Sequence, residues 1–167
     1  FNMYKDNILF FDCETSGLSV YKDRIISISF ILNGKTKTFM INPEIPISEG
    51  ASRVHGIYDK DVIHLKPFSY HAESIMKILK MANFYCFYNG RNFDYPILYI
   101  ELLRCGYTIP EKPIIDVYEH IQLLFRSLKL KDIYRTLLNK NFKNHDSLED
   151  TKATMELYYH IQTRFLK

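Results

Sequence analysis

Apolar and polar positions recur along this chain with two different periods, and the switches between them mark out its elements. Residues 7–13 (NILFFDC) are a short apolar run bounded by polar residues, the pattern of a central strand. Residues 24–32 (RIISISFIL) are rich in Ile and predict a second strand, and 36–41 (TKTFMI) a third. Between these two lies Asn33-Gly34-Lys35, and Asn-Gly supplies the positive φ angles of a type I′ hairpin. The stretch from Asn42 to about His64 carries Pro, Ser and Gly with no clear period and predicts a loop.

Over 67–82 the period changes. Phe68, Ala72, Ile75, Met76 and Leu79 fall on one helical face, and Pro67 suits a first turn. Residues 84–89 (FYCFYN) predict a fourth strand and 114–116 (IID) a short fifth. Helices are expected over 94–105, 116–125, 129–138 and 147–165. Strands that first run together and then alternate with helices predict an α/β fold. Its sheet would be mixed and five-stranded, with an antiparallel three-strand start and flanking helices.

Composition narrows the picture further. With 167 residues, 47% of them apolar, the chain can build one packed domain spanning 1–167. No apolar run approaches the ~20 residues that a membrane helix needs, so no membrane is expected. The first residue is Phe1 rather than Met, which suggests a piece excised from a longer polypeptide. Cys13, Cys86 and Cys105 are widely spaced and form no C-x-x-C pair, which fits a reducing, intracellular setting. A net charge of +3 is too mild to imply a nucleic-acid partner by itself.

The acidic positions add chemistry. Asp12 and Glu14 are separated by one residue, so on a strand they share a face, roughly 6.5–7 Å apart at the backbone. They either share a cation or lie past the strand end in solvent. Asp94 precedes Tyr95-Pro96 and is either a helix N-cap or a ligand at a strand's C-terminal end. Ser147 and Asp150 fit a capping box, and His145 stands on the loop entering that helix, so His145 and Asp150 are placed to face one pocket.

In order and context, these positions resemble the DEDDh family of 3′–5′ exonucleases. The first motif reads Asp12-Cys13-Glu14-Thr15-Ser16-Gly17-Leu18. The second runs from Asn89 through Phe93 and Asp94 to Leu98, and the third pairs His145 with Asp150. The segment at 51–57 (ASRVHGI) is similar to one in the proofreading branch of bacterial replicative polymerases. That resemblance covers about residues 7–162. Thr151 and Ser147 stand where the family often has Ala.

The resemblance implies a ribonuclease H-like fold and two divalent cations, Mg²⁺ or Mn²⁺, held by Asp12, Glu14, Asp94 and Asp150. It implies His145 as general base and a nucleic-acid 3′ end, single-stranded, as substrate, with DNA or RNA left open. Partners implied are a DNA polymerase or a second copy of the chain. Thr15, Ser16 and Leu18 would meet the 3′ end, and His55, Asn92 and Phe93 are further candidates for nucleotide contact. Phe93 is equally placed for core packing, and His55 for bonding to backbone. Lys129, Lys131, Arg135, Lys140 and Lys143 would track phosphates or form a solvated face. A non-catalytic nucleic-acid-binding module on the same fold is the competing class.

Overall fold

The computed structural model describes residues 6–122, 127 and 129–165. Five strands and seven helices follow in order among these residues: β1 (Ile8–Thr15), β2 (Ile25–Leu32), β3 (Lys35–Met40), α1 (Glu49–His55), α2 (Asp59–Val62), α3 (Phe68–Met81), β4 (Phe84–Phe87), α4 (Asp94–Arg104), β5 (Ile114–Asp116), α5 (Val117–Ile121), α6 (Leu130–Leu138) and α7 (Ser147–Phe165). The sheet order is β3-β2-β1-β4-β5. β1–β2 and β2–β3 pair antiparallel, and β1–β4 and β4–β5 pair parallel. This is the mixed five-stranded sheet with an antiparallel start that the pattern predicts. Asn33 at φ 51° and Gly34 at φ 78° make the expected hairpin turn.

β1 is central, and its alternation divides the core in two. Leu9, Phe11 and Cys13 join the layer made with Phe68, Ala72, Ile75 and Leu79 of α3 and Ile97, Leu98 and Leu102 of α4. Ile8 and Phe10 face the other way, against Leu157, Tyr158 and Ile161 of α7. The Phe10 and Tyr158 rings meet edge-on at 5.8 Å. Both faces of β1 are therefore covered, which is why its sequence is continuously apolar until Asp12.

Three boundaries differ from expectation. β1 runs two residues beyond 13, so Asp12 and Glu14 lie within the strand instead of past its end. β4 stops at Phe87, because Asn89 adopts φ 54° and turns the chain out of the sheet. The expected loop at 42–64 contains α1 and α2. These helices escaped notice because they bury so little: α1 buries only Ser52 and α2 only Val62. Caps hold α1 instead, with Ser48 Oγ accepting from Ala51 N and Gly56 at φ 74° ending it. Of the helix expected over 116–125, α5 accounts for 117–121, and 123–126 lie outside the described residues.

Candidate active site

Asp12 and Glu14 continue the face of β1 that begins with Ile8 and Phe10. The antiparallel register sets Ser29 opposite Asp12 and Ser27 opposite Glu14. Asp94 reaches this face from α4. It is the first helical residue, not the N-cap, which is Phe93. Its carboxylate turns toward β1, with Oδ2 accepting from Cys13 N at 3.4 Å. Asp150 comes from the fourth residue of α7, and its Oδ1 accepts from His145 N at 3.1 Å.

The capping box expected of Ser147 and Asp150 is not formed. Asp146 caps α7, its Oδ1 accepting from Leu148 N and Glu149 N at 3.1 Å each. That frees Ser147, whose hydroxyl is buried and lies 2.7 Å from both Ser27 Oγ and Ser29 Oγ. A short hydroxyl network thus ties the start of α7 to β2, beside the two acids. Ser rather than Ala at 147 has a definite use in this chain.

Four carboxylates so close together repel one another and lose hydration. Burial first, then the Asp94, Asp150 and Glu14 charges, push Asp12 well above the usual carboxylate range. Glu14 is pushed up to about 9 by burial and by Asp150, Asp94 and Asp146. Burial raises Asp150 to about 7 against the pull of the His145 N–H. Burial also raises Asp94 to about 6, against hydrogen bonds from Asp12 and Cys13 N. Asp12 Oδ2 is buried with no hydrogen-bond partner. An unpaired buried carboxylate oxygen is costly, and a cation is what neutralises it.

His145 sits at φ 64°, a left-handed conformation that throws its side chain back over the acids. Glu14, His145 and Asp150 each offer one ligand atom within 4.8 Å of the others. The residue is exposed, yet partial desolvation and then the Lys131 charge draw its ring below the ordinary histidine value. Its neutral form, able to accept a proton, therefore dominates at neutral pH. The donor set of carboxylate oxygens, with Asp12 Oδ2 unpartnered, fits a hard divalent cation.

Two clefts meet at the acids. One, of about 770 Å³, is lined by Asp12, Asp94, His145 and Asp150 and walled by Tyr88, Tyr118, Lys129 and Lys131. The other, of about 330 Å³, is lined by Glu14, Thr15, Leu18, Val54, His55 and Phe93, with no Lys or Arg among its lining residues. Phe93 borders both clefts.

The other sequence candidates separate in space. Thr15 and His55 line the small cleft, and Leu18 stands 93% exposed at its rim. His55 holds two backbone groups: Nδ1 accepts from Ile57 N at 3.1 Å, which leaves Nε2–H to donate to Thr15 O at 3.0 Å. Ser16 is buried and belongs to the turn, donating to Asp23 Oδ1 and accepting from Arg24 N, both at 2.9 Å. Asn92 is exposed and lines neither cleft. Of the five basic candidates, Lys129 and Lys131 enter the large cleft, whereas Lys140 pairs with Glu156 at 2.7 Å.

Sequence reasoning missed three more carboxylates that shape this region. Asp23 holds the turn after β1; a Cβ on Gly17 would fall 2.6 Å from its oxygens, so any larger residue there would displace that carboxylate. Glu101, 1% exposed, accepts from Arg24 Nε at 2.6 Å and Ile25 N at 3.1 Å and locks α4 to β2. Asp116, at the end of β5, accepts from Asn89 N, Arg91 N and Tyr118 N. Glu101 carries a visible signal: an acid at a helix position four after Ile97 and three after Leu98, both core residues. Asp116 does not, because the position just before a helix reads as an ordinary cap.

A family model described as exonuclease, of the RNase T type, matches residues 9–158. The chain is 31% identical over 157 residues to a PolC-type DNA polymerase III of Caldanaerobacter subterraneus subsp. tengcongensis, covering 89% of this chain and 11% of that protein. It is 27% identical over 168 residues to the 3′-5′ exonuclease DinG of Bacillus subtilis, covering 95% of this chain and 18% of that protein. Among solved structures, exonuclease I of E. coli in complex with single-stranded DNA superposes with a TM-score of 0.87. That match has 18% identity and covers 97% of this chain and 41% of that one. The likeness is one of fold, and the fold is ribonuclease H-like. Among the described residues, no helix is long and apolar enough to cross a membrane.

Proposed function

The chain belongs to the exonuclease family, and on that premise we propose that it is a metal-dependent 3′–5′ exonuclease releasing nucleoside monophosphates from single-stranded DNA. One observation carries this reading: four carboxylates, one with an unpartnered buried oxygen, converge beside a histidine where two clefts meet, of which only the larger is walled by lysines. The relatives named DNA polymerase III PolC-type and 3′-5′ exonuclease DinG support DNA as substrate, and work beside a polymerase inside the cell.

Asp12, Glu14, Asp94 and Asp150 would hold two Mg²⁺ or Mn²⁺ ions, which supply charge neutralisation at the scissile phosphate and an attacking water acidic enough at neutral pH. His145 would accept a proton at a ring nitrogen as general base, a role suited to a histidine kept neutral at working pH. The two clefts set direction. A 3′-terminal nucleoside has no phosphate beyond it, and the small cleft offers no Lys or Arg. The continuing strand carries a phosphate at every step, and Lys129 and Lys131 stand in the large cleft. Leu18 at the rim and Phe93 between the clefts would stack or wedge against bases. The Ser16 side chain holds the turn, and its backbone with that of Thr15 would lie near the 3′ end.

Matched 5′-labelled single-stranded DNA and RNA, digested with Mg²⁺ and with EDTA, test the reading. The expected result is a DNA ladder shrinking from the 3′ end, with nothing in the EDTA lanes. Full-length label in every Mg²⁺ lane would overturn the catalytic reading in favour of a binding module. RNA degraded faster than DNA would overturn the sugar preference alone.

A further inference from the structure

The acid that β4 hands to α4 is Asp94, and the chain between them has no regular structure to hold it. β4 ends at Phe87, and α4 begins at Asp94. Asp116 lies beside Phe87 in the β4–β5 register, at the last position of β5. Its side chain is 2% exposed, and it spends its carboxylate on this crossing. Oδ1 accepts from Asn89 N at 2.7 Å and from Tyr118 N at 3.1 Å, and Oδ2 accepts from Arg91 N at 3.2 Å. The two bonded residues flank Gly90. Gly90 O in turn accepts from Phe93 N at 3.2 Å and Tyr95 N at 2.9 Å, the residues on either side of Asp94. Gly90 has no slack: a Cβ there would lie 2.9 Å from the Phe87 ring and 3.1 Å from the Asp94 Cβ.

We infer that Asp116 is a positioning residue for the candidate metal site, holding Asp94 in place through the Asn89–Arg91 backbone and the Gly90 carbonyl. It rests on the reading of Asp94 as a metal ligand. Asp116 lines neither cleft, although its charge also bears on Asp94 and adds to the rise of that carboxyl. Its work is to supply, from β5, the fixed acceptors that the irregular crossing lacks. The chemistry also predicts a graded response. An Asn at 116 keeps one carbonyl oxygen for Asn89 N and Tyr118 N but turns an amide N–H against Arg91 N. An Ala loses all three bonds.

Mn²⁺ titration by calorimetry at 10 °C, on protein shown folded by circular dichroism, reads the effect directly. Losing such a supporting partner typically costs about 10–100-fold in metal affinity. D116A is expected to bind Mn²⁺ about 10-fold or more weakly, with D116N between it and the wild type. G90A disturbs the same crossing without changing any charge and is expected to weaken binding likewise. Glu119→Gln removes a neighbouring charge whose carboxylate bonds the Arg91 side chain and not the loop backbone, and it is expected to bind within about twofold of wild type. Should D116A fail to fold, D116N and G90A carry the test. Wild-type affinity in folded D116N and G90A overturns the inference, as does a loss in E119Q equal to that in D116N. Absence of Mn²⁺ binding by the wild-type chain would instead overturn the proposed function.

Discussion

Among the described residues, two sets of buried or half-buried carboxylates are treated in opposite ways. Glu101 and Asp116 are almost fully buried and fully employed. Glu101 accepts from Arg24, Ile25 N and Arg104, and Asp116 from three backbone N–H groups. Asp12, Glu14, Asp94 and Asp150 are crowded against one another, and the innermost oxygen, on Asp12, has no partner. Folding alone explains the first set, because each carboxylate there finds its donors within the chain, even though burial still raises Asp116. It does not explain the second, whose pairing partner is not part of the chain. A buried acid that the protein satisfies is architecture, and one that it leaves unsatisfied is prepared for something else.

The largest expected effect breaks this contrast at Asp12. Asp12→Asn is expected to abolish hydrolysis in steady-state assays while raising the metal-free melting temperature at pH 8, since it removes a group whose ionisation burial and three neighbouring acids oppose. His145→Ala should retain a remnant, the general-base contribution being about 10²–10⁴-fold. A stabilised but fully active Asp12→Asn chain would dissolve the distinction between the two sets.

Glu101→Ala should do the reverse. Breaking a buried ion pair costs about 3–5 kcal/mol. The lower end is expected here, because Arg24 and Arg104 keep partial access to solvent. Chemical denaturation would report that loss, while turnover per folded molecule with saturating Mg²⁺ stays close to wild type.

The smallest effect sharpens the comparison by pH. Folding raises the three acids with defined values, Asp94 to about 6, Asp150 to about 7 and Glu14 to about 9. In the unfolded chain such groups titrate near 4. A raised acid contributes stability that is present below its unfolded value and is lost as pH climbs through its folded value. The metal-free protein is therefore expected to lose stability between pH 5 and pH 9. A drop of at least about 3 °C corresponds to roughly 1 kcal/mol in a chain of this size. Saturating Mg²⁺ should flatten the slope, and a Tm that rises through that window without metal would contradict the crowding of the acids.

Some of this was legible from residues alone, for identifiable reasons. The i, i+2 spacing of Asp12 and Glu14 puts both on one face of any strand, so their pairing needed no structure. The Asn33-Gly34 turn and the α3 stripe were equally local. Where packing is slight, as in α1 and α2, the apolar pattern was silent and only capping spoke. The local pattern puts Ser147 in a capping box with Asp150, whereas Asp146 caps the helix. A capping box and a cap followed by a free serine have nearly the same local sequence, and the partners that choose between them, Ser27 and Ser29, lie more than a hundred residues away.

By itself, then, the sequence determined which acids exist, which two share a face, and in what order the motifs arrive. Tertiary structure alone decided that Asp94 turns from its helix toward Cys13 of β1, that His145 folds back over Glu14 and Asp150, and that Asp12 keeps one oxygen unpaired. The physical reason is range. Strand and helix periods act over a few residues and are written in the chain, whereas hydration, repulsion and hydrogen-bond supply depend on every group that folding brings near.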